Sequence, residues 1–152
     1  MKAIKKWRYY CDHCKKSGAS SFHMAAHERS CTLNPLRSCK CCLRLNGSDG
    51  TPLPEMLALL PDPAAFMRQV PEEDFGEWLG SIPAHQEMDD EGLRTATHAA
   101  LPALRELTED CPVCILAALR QRGIPVPVVT AFNFSEEMKA AQMTMQDLRS
   151  ER

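Results

Sequence analysis

The sequence predicts a small, mostly α-helical protein in two parts, a basic head over residues 1–45 and an acidic, Pro-punctuated helical body over residues 46–152. Three observations predict it. Six of the eight cysteines and three of the five histidines fall in the head. Charge divides at the same place: residues 1–45 hold ten Lys/Arg against two acids, +8, and residues 46–152 hold eight against eighteen, −10. Beyond the turn-rich run from Asn46 to Pro52, apolar residues recur at helical spacing and are interrupted by proline. A basic head on an acidic body implies either an anionic partner for the head or attraction between the two parts.

In the head, Cys11, Cys14, His27 and Cys31 follow the spacing Cys-x2-Cys-x12-His-x3-Cys. Two residues between cysteines allow a tight turn that aims both sulfurs at one point. Three residues between His27 and Cys31 place them at i and i+4, on one face of a helix. Four such donors complete a tetrahedral structural zinc site. Using His23 and His27 as the helical pair is the alternative, but it leaves a tight loop after Cys14 and strands Cys31.

This segment resembles the ββα zinc-finger family, in its Cys-Cys-His-Cys variant, over about residues 7–32. Tyr9 matches the aromatic that the family places two before the first cysteine, and Met24 matches its apolar position three before the first helical ligand. Gly18 departs from the family's large aromatic, so the small core is expected to be repacked, with Phe22 as the candidate filler. The resemblance implies base reading from Ser20, His23 and Ala26. None of these makes the bidentate arginine–guanine contact of specific readout. Phosphate contacts by Lys5, Lys6, Arg8, Lys15 and Lys16 remain, giving salt-sensitive binding of low specificity.

A second zinc site is expected from Cys39 and Cys42, paired with Cys111 and Cys114. The first pair follows a Pro-containing loop and reads as a knuckle. The second opens a helix, whose N-terminus favours thiolates. This is a treble-clef-like arrangement, and it would staple head to body. Cys41 is left over, and is able to replace Cys39 or Cys42. A redox role for Cys111 and Cys114 is disfavoured, because no thioredoxin-like βαβ pattern surrounds them.

In the body, short helices are expected at 54–60, 63–69 and 72–79, the last with Gly80 just past its end. A longer one starts near Asp89, with Leu93, Ala96, Thr97, Ala100, Leu101 and Leu104 on its apolar side. Pro102 is expected to break or kink it. The helix over 111–122 has Pro112 in its first turn and Gly123 as its cap. Residues 124–132 read as extended, with a short edge strand. Ser135 is expected to cap a last helix with an apolar stripe of Met138, Ala141, Met145 and Leu148.

His13, His85 and His98 read as surface or core histidines, and Trp7 and Trp78 as packing residues. No Ser/His/Asp arrangement, phosphate-cradling glycine loop or open three-ligand zinc pattern is present, so no enzymatic activity is expected. Residues 1–10 are basic with no apolar run behind them, and no stretch approaches the ~18 apolar residues of a membrane span. A cytoplasmic, reducing location follows as the expectation, with cysteines as metal ligands rather than disulfides.

The whole ligand region, from Tyr10-Cys11-Asp12-His13-Cys14 through His27-Glu28-Arg29-Ser30-Cys31 to Cys39–Cys42, also resembles small zinc-finger proteins encoded in bacteriophage genomes. A later Cys-Pro-x-Cys helix, like that at Cys111, belongs to the same resemblance. It implies a host-cell cytoplasmic setting and supplies no mechanism. Two functions are therefore expected: an accessory protein with two Zn2+ that binds nucleic acid weakly and non-specifically, or a zinc-stapled adaptor for protein partners in phage assembly or host interaction.

Overall fold

The computed structural model describes residues 7–74 and 81–150. The head begins with a two-stranded hairpin. Strand β1 (Tyr9–Tyr10) pairs antiparallel with β2 (Ser17–Gly18), Tyr9 opposite Gly18 and Tyr10 opposite Ser17. Helix α1 (Ser21–Glu28) follows, and the Ser20 hydroxyl caps it by accepting the His23 N–H at 3.3 Å. Met24 packs under the hairpin, where a Cβ on Gly18 would stand 3.3 Å from its methyl carbon. Phe22 does not fill this small core, since it is 73% exposed. Met24 already occupies the space that Gly18 leaves.

Helix α2 (Lys40–Leu45) sits close by, its Lys40 ammonium donating to the Ala26 carbonyl at 3.2 Å. The loop after α2 folds back on the body. Asn46 donates to Glu109 at 2.9 Å, and Thr51 donates to the Leu107 carbonyl at 3.2 Å. The buried side chains form two clusters. Cys11, Met24 and Cys31 make the smaller one, while Cys39, Cys41 and Cys42 join the main core with Met56, Leu93, Leu104, Ile115 and Leu119.

Helix α3 (Leu53–Leu59) buries Met56 completely. The helix expected over 63–69 is instead a single 3-10 turn, Pro63–Phe66, capped by Asp62, followed by strand β3 (Met67–Val70). The helix expected over 72–79 is also absent where it can be seen: Glu73–Asp74 forms strand β4, while residues 75–80, including Trp78 and Gly80, lie outside the described residues. Pro71 accounts for the change. A residue before proline is pushed to extended backbone, which commits Val70 to a strand. Strand β4 pairs with β5 (Ser81–Ile82), and β3 pairs with β6 (His85–Met88), Met67 opposite Met88 and Val70 opposite His85. An Arg68–Glu87 ion pair of 3.0 Å crosses the longer ribbon.

Helix α4 (Asp90–Leu107) is capped by the Asp89 carboxylate, which accepts the Gly92 N–H at 3.0 Å. Leu93, Thr97, Leu101 and Leu104 form its buried stripe. The helix runs through Pro102 rather than ending there, and Pro102 lies on the exposed side, away from the buried stripe. Glu109 and Asp110 adopt positive φ of 49° and 53°, and this tight turn delivers Cys111 to the start of helix α5 (Pro112–Arg122). Helix α5 is the centre of the body. Ile115, Leu116, Ala117, Ala118 and Leu119 are all buried, and Gly123 closes it at φ 80°.

The expected edge strand in 124–132 is not formed. Pro125 and Pro127 carry no N–H for a ladder, and Val126–Val128 makes a 3-10 turn instead, with Ile124, Val129 and Phe132 buried. Helix α6 (Phe134–Ser150) is capped by Asn133 rather than Ser135; the Asn133 side-chain oxygen accepts the N–H groups of Ser135 and Glu136 at 3.1 and 3.3 Å. Ala141 and Met145 pack toward the core, while the Leu148 side chain lies outside the description. Arg105 of α4 grips Glu137 of α6 through two bonds of 3.0 and 2.7 Å. Among the described residues no helix is long and apolar enough to cross a membrane.

Candidate metal centres

The ligand atoms of Cys11, Cys14, His27 and Cys31 lie within 4.8 Å of one another. The knuckle is closed by the Cys11 N–H donating to the Lys16 carbonyl at 3.0 Å. Its other anchor is Glu28, whose carboxylate accepts the Asp12 N–H at 3.0 Å. The His27 Nε2 faces the Cys14 sulfur at 3.3 Å. Burial, helped by the charges of Lys16 and Lys40, lowers the His27 pKa and favours the neutral imidazole a metal needs. A hydrogen bond from the Lys16 backbone lowers the Cys14 pKa, while burial raises that of Cys31.

Cys31 does not share a helical face with His27, because α1 ends at Glu28. Instead the chain tightens: Ser30 N–H bonds His27 O at 3.0 Å, and Cys31 N–H bonds Glu28 O at 3.2 Å. These i→i+3 bonds bring Cys31 to the group. His23 remains exposed, against Phe22, and takes no part in it.

The second group comprises Cys39, Cys42, Cys111 and Cys114, all buried, again with ligand atoms within 4.8 Å. The Cys39–Cys111 and Cys42–Cys114 sulfur separations are 3.6 and 3.7 Å. Sulfurs about 2.3 Å from a tetrahedral zinc stand about 3.8 Å apart, so the spacing fits a zinc tetrathiolate. All eight cysteines are free thiols.

The first pair is not a loop knuckle. Cys39 is the N-cap of α2 and Cys42 lies in its first turn, just as Cys111 caps α5 ahead of Cys114. Two helix N-termini therefore converge on the thiols, and each contributes an N–H: Cys42 N–H to Cys39 and Cys114 N–H to Cys111. Both ends favour negative charge. Hydrogen bonds from the Cys111 and Cys114 thiols hold Cys39 far below the usual thiol range. Hydrogen bonds with Cys114 and Cys39 push Cys111 up, and burial pushes Cys42 up to about 12. With those protons removed, four thiolates this close would hold a cation among them.

Two residues that the spacing did not single out complete this site. The Arg37 guanidinium points its Nη1 at Cys114, 3.7 Å away, while its Nε and Nη2 are buried with no hydrogen-bond partner among the described residues. A cation held there matches a tetrathiolate zinc, which carries two net negative charges. Gly50 covers the cluster at φ 95°; a Cβ there would stand 2.6 Å from the Cys39 Cβ and 3.2 Å from the Cys114 sulfur. Their only sequence signals are a basic residue two before Cys39 and a glycine inside the turn-rich loop. Cys41 is a fifth buried thiol beside this group, and burial raises its pKa.

Head and body also meet through α5. Arg120 donates to the Thr32 hydroxyl at 2.9 Å, and the Gln121 amide donates to the Thr32 and Asn34 carbonyls, both at 3.0 Å. Of the five basic residues expected to touch phosphate, Lys5 and Lys6 lie outside the described residues. Arg8, Lys15 and Lys16 are at least partly exposed. All ion pairs among the described residues lie within 62–137, so none neutralises the head. Trp7 is not a packing residue, being 81% exposed. His98 Nε2 accepts the Ala131 N–H at 3.3 Å, a structural bond between α4 and the chain before α6.

The chain matches no family model, no curated protein and no solved structure. Fold and donor sets together define a small, mostly helical chain with one group of three cysteines and a histidine and one group of four cysteines, each spaced as one zinc ion requires.

Proposed function

We propose that this chain is a non-enzymatic, two-zinc accessory protein whose basic head binds nucleic acid weakly and without sequence specificity. Zinc, when bound, supplies a crosslink at each centre. Each donor set offers four protein ligands and leaves no open position for a substrate. The chain's own residues do the rest: α2 and α5 aim the thiols, Gly50 seals them, and Gln121 holds the head in place. The observation that carries the nucleic-acid reading is the unneutralised charge of Arg8, Lys15 and Lys16 beside the first centre. Ser20 is occupied as a helix cap and Ala26 has no side-chain donor, which supports backbone contact over base reading. Fluorescence anisotropy with a labelled oligonucleotide tests the reading. Binding at low salt that falls steeply as salt rises supports it, and no binding at low salt refutes it.

A groove of about 410 Å3 favours a second reading, a zinc-stapled adaptor of the phage assembly or host-interaction kind. Met138 and Met145 of α6 and Val113 of α5 line it, with Lys40 and Arg44 of α2 at its side. That lining suits an apolar peptide carrying acidic residues. Titration with a fluorescent acidic, leucine-rich peptide tests this, and a Met145→Asp substitution that leaves binding unchanged refutes it.

A further inference from the structure

Resting on the nucleic-acid reading, we infer that the head is built for single-stranded nucleic acid, with Trp7 and Tyr10 as stacking platforms and Arg8 and Lys15 on the phosphates. Trp7 is 81% exposed and Tyr10 is 64% exposed, beyond what isolated surface aromatics of a small head need for packing. The hairpin explains why. Tyr9 pairs with Gly18, the residue that lies over Met24, and Tyr9 is itself 43% exposed, outside the small core of Cys11, Met24 and Cys31. Side chains alternate across a strand, which puts Tyr10 on the opposite, outer side. Tyr10 pairs with Ser17 there, and Arg8 reaches the same Ser17 hydroxyl at 3.0 Å. A cation and an aromatic ring thus share the outer side of the hairpin, with Trp7 one residue before Arg8.

Chemistry selects the partner. A ring stacks on the face of a base, and a duplex buries those faces and shows only edges. Helix α1 carries no arginine for a bidentate base-edge contact, whereas exposed rings beside unneutralised cations are the arrangement that holds a single strand regardless of sequence. Both deoxyribose and ribose strands present the same base faces and phosphates.

The test uses the full zinc-loaded chain and fluorescein-labelled strands of about 12 nucleotides. Oligo-deoxythymidine, oligo-uridine and a mixed-sequence duplex are compared at low salt by anisotropy. Single strands of one or both sugars are expected to bind at least about tenfold tighter than duplex. Trp7→Ala and Tyr10→Ala should each weaken single-strand binding roughly tenfold and leave duplex binding within about twofold, while Trp7→Phe retains most of it. Zinc content verifies that each variant keeps its fold. Equal affinity for duplex, or no effect of Trp7→Ala and Tyr10→Ala, overturns the stacking inference and leaves the phosphate reading standing. Absence of binding to all three probes overturns both.

Discussion

The Arg37 guanidinium and the Cys114 sulfur, 77 residues apart in sequence, lie 3.7 Å apart at the four-cysteine centre. The rest of the guanidinium is buried without a partner among the described residues, so the cation has nothing else to serve there. Arg37→Met should therefore lower zinc affinity at this centre by roughly tenfold, the scale of a lost outer-shell partner. Competition with a graded chelator measures it. An unchanged affinity would mean that the thiolates do not depend on this charge.

Gly50 and Gly47 form a matched pair of controls. Both have positive φ, 95° and 75°, but only Gly50 approaches the cluster, while a Cβ on Gly47 meets nothing. Gly47→Ala should cost about 1 kcal/mol, the backbone penalty alone. Gly50→Ala adds the collision with Cys39 and should cost about 3 kcal/mol or more, together with weakened zinc binding. Chemical denaturation of the zinc-loaded variants separates the two.

Zinc uptake by the second centre should release protons. Cys42 is pushed up to about 12 and Cys111 is pushed up as well, so both carry protons at neutral pH in the metal-free chain. Cys39 is held low and has already lost its proton. Groups that must deprotonate to bind make affinity rise with pH and fall on acidification, so zinc should dissociate as pH drops. An indicator dye in weak buffer should count at least the two protons of Cys42 and Cys111 per zinc at this centre, and fewer than the four expected if every thiol started protonated.

Gln121 is the clamp between the centres. Its amide donates to the carbonyls of Thr32 and Asn34, directly after the last ligand of the first centre. Gln121→Ala should cost about 1–2 kcal/mol through those two lost bonds and leave the zinc content unchanged. Hydrogen exchange should show faster opening of residues 32–34. Unchanged protection there would place the head–body link in the metal centre and the Arg120–Thr32 bond.

Much of this was legible in the sequence, for physical reasons that differ by element. The spacing of Cys11, Cys14, His27 and Cys31 is set by local chain geometry, so it marks four thiol and imidazole donors that the fold brings together. Helices α4 and α5 follow from apolar periodicity and from the signals of Asp89, Pro112 and Gly123. The β3–β6 ribbon was hidden because its side chains are mostly exposed and carry no burial pattern, leaving Pro71 as the only warning. Asn133 took the capping role from Ser135 by two positions, within the usual uncertainty of helix ends. Arg37, Gly50 and Gln121 act on partners from distant parts of the chain, at separations no local pattern encodes. The exposure of Trp7 is likewise written in no local pattern.

Metal content per chain decides between one zinc centre and two. Elemental analysis with native mass spectrometry should find two zinc ions in the intact protein. Cys111→Ser should reduce this to one, retained by Cys11, Cys14, His27 and Cys31. A single zinc that survives Cys111→Ser unchanged would contradict the four-cysteine centre and, with it, the account of how the head is joined to the body.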